Sequence, residues 1–122
     1  MMPPKTTALR KNHDFQLVYK KGKSFAAKHI VIIMLKNGRN VNRLGVSASK
    51  KVGNAVIRNL VRRRLKEAYR LIEAKADTVR GHDIVILPRA GLPPADFADY
   101  KTQLEYLLRK HGILAQAASA PI

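Results

Sequence analysis

The sequence predicts a single α+β domain in which helices pack on one sheet, and three observations predict it. Apolar residues recur at helical spacing around residues 12–20, 54–76 and 97–110. Between the first two segments lie β-branched and alternating runs that suit strands, and a further short apolar run at residues 84–87 ends at Pro88. At 122 residues the chain can bury one core but not two. The order is helix, two or three strands, long helix, strand, helix, with the helices on a mostly antiparallel sheet.

Taken in order, residues 1–9 carry Pro3 and Pro4 and read as a flexible basic arm, leaving residues 10–112 as the domain and residues 113–122 as a flexible tail. In NHDFQLVYK, residues 12–20, Asn12 suits a cap, Asp14 suits the first turn and Gly22 ends a short helix. Residues 24–27 suit a short strand. The run HIVIIMLK, residues 29–36, contains a continuous β-branched stretch, IVII, which implies burial on both faces. NGRNVN contains an Asn-Gly turn, and RLGVSA alternates, so a hairpin is expected between the two runs. Gly53 supplies a turn and Asn54 caps a helix of roughly 22 residues and about 33 Å that fades near Ala76. The step from hairpin through this helix to residues 84–87 would make a β-α-β crossover. Asp96 then caps a final helix, with Leu104, Leu107 and Leu108 facing inward and Gly112 as its stop.

The long helix sorts two chemistries onto opposite sides. Arg58, Asn59, Arg62, Arg63, Lys66 and Arg70 fall within an arc of roughly 140°, whereas Ile57, Leu60, Val61, Leu65, Ala68, Leu71 and Ile72 occupy the other side. A solvated face normally interleaves both signs. From Lys50 to Arg70 there are eight basic residues, including Lys51 and Arg64, against the single acid Glu67. The bias extends further: residues 1–70 hold 18 Lys and Arg against Asp14 and Glu67, and residues 71–122 hold six of each sign. The formal net charge of +16 therefore belongs to the first 70 residues, and such self-repulsion calls for a polyanionic partner.

Other chemistries find little support. Without cysteine there is no disulfide framework, thiol nucleophile or Cys-ligated zinc, which suits a reducing cytoplasm. His13, His29, His82 and His111 never fall at i and i+4 of one another, and no HExxH or paired carboxylates accompany them, so neither a metal site nor protein-borne catalytic residues are expected. Ser47 and Ser49 lack a GxSxG frame, Gly53 lacks a Walker A context, and strands flank the basic helix where a helix-turn-helix needs a second helix. No apolar run is long enough for a signal peptide or a membrane span, and no small-molecule substrate is implied. Phe15 and Tyr19 form an aromatic stripe among Lys11, Lys20, Lys21 and Lys23, which fits either a helix core or a stacking platform for single-stranded RNA.

The segments LRKNHDFQLVYKKGKS, LGVSASKKVGNAVIRN, RNLVRRRLKEAYR and DIVILPRAG together resemble, in order and spacing, the protein subunit of bacterial ribonuclease P, over about residues 9–110. The resemblance implies an α+β fold with a left-handed β-α-β crossover and a role as cofactor to a catalytic RNA that removes 5′ leaders from precursor tRNA. It implies Mg²⁺ held mainly by that RNA. On this sequence Lys50, Lys51, Asn54, Arg58, Asn59, Arg62 and Arg63 would contact the ribonuclease P RNA, extended along the basic helix by Arg64, Lys66 and Arg70. Phe15, Tyr19, Ile33, Arg62 and Lys66 would line the cleft for the leader. Two positions depart from the family pattern. Leu60 replaces the third member of an Arg-Asn-Arg signature, with Arg64 as a substitute for its charge, and Ile33 stands where an aromatic is frequent. Competing readings are a ribosomal or general RNA-binding protein, a free-standing nuclease, and a membrane-surface helix; the last would need for lipid the apolar arc that the core requires.

Overall fold

A computed structural model of the chain describes residues 6–76 and 78–114. The elements run β1 (Thr6–Ala8), α1 (Asn12–Lys21), β2 (Lys23–Ala26), β3 (Ile30–Lys36), β4 (Asn42–Val46), a 3₁₀ turn (Lys50–Val52), α2 (Ala55–Lys75), β5 (His82–Pro88) and α3 (Phe97–Lys110). The sheet order is β1-β4-β5-β3-β2. β2 and β5 pair antiparallel with β3, whereas β1 and β5 pair parallel with β4, so the sheet is mixed, and β3 and β4 do not form the expected hairpin.

The source of the difference is β5, which lies between β3 and β4 and replaces their expected hairpin. Ile84, Val85 and Ile86 are fully buried, with Val85 facing α1 and its two neighbours facing α2 and α3. A strand apolar on both faces gains most at the centre of a sheet. The loop after β3 is then tied to β5: Asn37 N donates to Gly81 O at 2.9 Å, and its side-chain amide donates to Asp83 Oδ1 at 2.8 Å. The residues 37–41 thus span two inter-strand steps, roughly 10 Å, instead of a tight turn. β4 and β5 are parallel neighbours joined by α2, which is the expected β-α-β connection.

Two clusters hold the layers. The larger packs α2 and α3 on one face of the sheet through Val61, Leu65, Ile72, Leu104, Leu107 and Leu108. The smaller sits under α1 on the other face and contains Leu9, Val18 and Val85, with Phe15, Tyr19 and Ile33 against it. β3 accordingly buries Ile30, Ile32 and Met34 fully and leaves Val31, Ile33 and Leu35 half-buried under the single short helix.

Residues 6–9 and 113–114 are better anchored than the composition of their segments suggests. Thr6–Ala8 adds a parallel edge strand to β4, and Leu9 is buried in the α1 cluster, so the arm read over residues 1–9 is structured from Thr6. Thr6 Oγ1 meets Tyr69 Oη at 3.1 Å and also donates to Glu73. At the other end Ile113 and Leu114 are buried, and Leu114 bridges to Thr78. Residues 113 and 114, expected in the tail, thus belong to the folded domain; residues 1–5 and 115–122 lie outside the described residues.

Candidate nucleic-acid interface

The turn into α2 is built by two residues. Gly53 has φ 155° and ψ −171°, a conformation that only glycine adopts readily, and Asn54 Oδ1 accepts the amide of Ile57 at 3.0 Å. The first turn of α2 carries no acid, so its dipole adds to the positive field of exposed Lys50 and Lys51. Beyond it, Asn59, Arg63, Lys66 and Arg70 are exposed, while Arg58 and Arg62 are half-buried. Arg62 donates to Asn59 Oδ1 at 3.2 Å and reaches Ala48 O at 3.5 Å, which lays its guanidinium between α2 and the end of β4. The buried Nε of Arg58 has no partner within the described protein.

Two cations of the stretch are committed to the protein itself. Arg64 turns away from the basic arc and donates to Ala95 O at 2.6 Å, joining α2 to the segment before α3. It therefore does not restore the charge absent at Leu60, which is half-buried on the apolar side. Arg70 pairs with Glu67 through bonds of 2.9 and 2.6 Å. That pair holds the Glu67 carboxyl below the ordinary range and the guanidinium above it, chiefly through the hydrogen bonds themselves.

Beside α2 an open groove passes between α1 and the exit of β4. One part, about 410 Å³, is lined by Arg10, Phe15, Gln16, Tyr19, Ser47 and Arg62. The adjoining part, about 460 Å³, shares Arg10, Phe15 and Val46 and adds Lys66, Tyr69 and Glu73. Phe15 and Tyr19 have ring centroids 6.3 Å apart at 48°. Each ring packs against the α1 cluster and also lines the groove. Phe15 also lies flush on β4: a Cβ at Gly45 would sit 2.6 Å from its Cε1.

The structure thus brings Phe15, Tyr19 and Arg62 together and places Lys66 in the adjoining part of the groove. Ile33 is elsewhere. It lies on β3, beyond β5, and packs where a Cβ on Gly22 would meet its Cγ2 at 2.6 Å. The sequence reading missed Arg10 and Ser47; the only signal for Arg10 was the buried Leu9 beside it in a Thr-Thr-Ala-Leu run suited to a strand. Burial raises the Tyr69 phenol well above its usual range, with Glu73 adding to this and the Thr6 bond opposing it, so it remains a neutral hydrogen-bonding group.

Among the described residues, no three His, Asp or Glu side chains converge. No helix among them is long and apolar enough to cross a membrane.

The family model for Ribonuclease P matches residues 2–112. This chain belongs to the ribonuclease P protein family. The ribonuclease P protein component of Clostridium botulinum (strain 657 / Type Ba4) is 47% identical over 109 residues, spanning 89% of this chain and 97% of that relative. That of Clostridioides difficile (strain 630) is 46% identical over 110 residues, spanning 89% and 95%. Among solved structures, the Staphylococcus aureus RNase P protein is 30% identical with a TM-score of 0.75, covering 93% of this chain and 100% of that one. The Thermotoga maritima RNase P protein is 34% identical with a TM-score of 0.75, covering 84% and 96%. The chain is accordingly a protein subunit of ribonuclease P, part of an endoribonuclease holoenzyme of tRNA processing, and its basic face is consistent with RNA binding.

Proposed function

We propose that this subunit seats the catalytic RNA of ribonuclease P on the N-terminal part of α2 and guides the 5′ leader of precursor tRNA along the groove beside Phe15. The observation that carries the reading is the meeting of Phe15, Tyr19, Arg10 and Arg62 around one open groove next to the basic arc. A single strand needs aromatic faces for its bases and cations for its phosphates, and such a site binds with little demand on sequence. Lys50, Lys51, Arg58 and Arg63 neutralise RNA phosphates and release counterions.

In this reading the RNA supplies the catalysis and holds Mg²⁺, and the protein alone does not cleave. The acids of the described chain support it, because most are engaged structurally: Asp14 and Asp83 on Arg43, Glu67 on Arg70, Glu105 on Lys101 and Arg109. The protein contributes position and charge screening, in the cytoplasm, where the cysteine-free sequence is at home.

Reconstitution with a bacterial ribonuclease P RNA at low Mg²⁺ tests the proposal. Added protein is expected to stimulate precursor tRNA cleavage and to favour precursor over mature tRNA in binding, and Arg62→Ala is expected to weaken both. Absence of stimulation overturns it. Equal affinity for precursor and mature tRNA would reduce it to general RNA binding.

A further inference from the structure

A second cluster of cations and aromatic rings lies at the opposite edge of the sheet. β2 is the edge strand farthest from β1, four inter-strand steps of about 4.8 Å away, or roughly 19 Å. Lys23 and Phe25 alternate onto the face of β2 that α3 covers, and the last turns of α3 bring Tyr106, Lys110 and His111 over them. Lys110 Nζ is 5.8 Å from the centroid of Phe25 and 5.3 Å from that of Tyr106, and Lys23 Nζ is 5.3 Å from Phe25. Lys110 Nζ also donates to Tyr106 Oη at 3.0 Å. His111 packs against Phe25 with ring centroids 4.5 Å apart, and its Nε2 lies 3.2 Å from Ile32 O, which fixes the floor of the cluster.

A lone exposed tyrosine needs no explanation. Tyr106 differs in that it is 52% exposed and is steadied by an ammonium. The nearby carboxylate, Glu105, points to the other flank of α3, where it binds Lys101 at 2.8 Å and Arg109 at 3.5 Å. Among the described residues neither Lys23 nor Lys110 has a carboxylate within ion-pair distance. Two unneutralised ammonium groups beside an open aromatic face match a phosphate and the base next to it.

We propose that Lys23, Phe25, Tyr106 and Lys110 form a second RNA-contact surface, which takes one unpaired nucleotide with its base on Tyr106 and its phosphate between the two lysines. The site packs on the opposite face of the sheet from the α1 groove, so it engages a different segment of RNA. It rests on the RNA-bound assembly proposed above. The nucleotide's chemistry is common to the RNA subunit and to precursor tRNA, and the experiment separates these sources.

The chain has no cysteine, so Tyr106→Cys can be labelled uniquely with an aryl azide in the reconstituted holoenzyme. Cross-links formed without substrate assign the nucleotide to the RNA subunit, and cross-links that require precursor tRNA assign it to substrate; either supports the site. No cross-link, or equal cross-linking from exposed Val79→Cys, overturns it. In equilibrium binding to whichever RNA is cross-linked, Tyr106→Ala and Tyr106→Leu are expected to weaken affinity about tenfold while Tyr106→Phe retains it, the pattern of stacking. The Lys23→Ala, Lys110→Ala double variant should flatten the log-log salt slope by about 0.7, the share of one single-strand phosphate. Unchanged affinity and slope, with Arg62→Ala still impaired, overturns this surface alone. If Arg62→Ala also has no effect, the α2 reading falls with it. Loss of self-association in Tyr106→Ala at constant RNA affinity also overturns the site, making it a protein contact.

Discussion

At Gly45 a methyl group would meet the ring of Phe15, with 2.6 Å to Cε1, and the backbone there has no positive φ that would call for glycine. The missing side chain therefore serves the ring, setting how deep Phe15 sits beside the groove. Gly45→Ala should push the ring outward at a cost of about 1 to 3 kcal/mol of stability. It should also reduce leader-dependent affinity for precursor tRNA about tenfold, as expected for a displaced stacking group. In a Phe15→Ala background the same change should have little further effect on affinity. Comparing precursor and mature tRNA affinities for the four proteins checks this. A second residue-scale feature is Arg43, which binds Asp83 at 2.7 Å through both Nε and Nη2 and reaches Asp14 at 3.2 Å. The Asp83 bonds raise its guanidinium pKa above the ordinary value against the opposing effect of burial. Asp83→Ala leaves that guanidinium half-served by Asp14, and urea denaturation should show a loss of about 3 kcal/mol.

Among the elements, α2 is where local signals and tertiary demands agree. Its cap, its apolar arc and its basic arc are each readable residue by residue, and each is realised: Asn54 caps, Val61, Leu65 and Ile72 are buried, and Arg63 and Lys66 are exposed. Asn54→Ala removes an acceptor from the first turn and should lower stability by about 1 kcal/mol in thermal or urea unfolding. Because the 3₁₀ turn that presents Lys50 and Lys51 leads directly into this cap, affinity for the RNA subunit should fall in parallel. The strands are a different case. Asn37-Gly38 has the composition of a hairpin turn, yet its side chain serves β5, 46 residues further along the chain, and β3 and β4 are separated.

For the whole molecule, the uneven charge governs solution behaviour. If about six phosphates are neutralised, affinity for the RNA subunit should drop about a thousandfold between 50 and 200 mM salt, and filter binding across that range measures the slope. A salt-independent affinity would contradict the α2 interface. Acid stability is set by other groups. His82 and His111 both have pKa values lowered by burial, with Lys36 adding to the effect at His82 and Lys23 at His111. Unfolding lets both take up protons near the ordinary histidine value of about 6.5, so the unfolded state binds more protons below that pH. Stability should be full above about pH 7 and decline as pH falls through the depressed native values. The melting temperature followed from pH 7.5 to 5 should show this, and His82→Gln with His111→Gln should flatten the curve.

The sequence by itself determined the helices, the polarity of α2, the concentration of charge in the first 70 residues and, through its GNAVIRN and EAYR segments, the family. These depend on neighbours three and four residues apart or on composition, which a linear chain displays directly. Only the tertiary structure decided that β5 parts β3 from β4, that Thr6–Ala8 closes the sheet edge, and that Arg10 joins Phe15, Tyr19 and Arg62 at one groove. It also decided that Arg64 faces Ala95 and that Ile33 packs on Gly22. Each of these depends on which surfaces bury each other across tens of residues. Strand patterns state that a face is apolar and leave its partner open, because hydrophobic burial is non-directional and does not by itself specify sheet order.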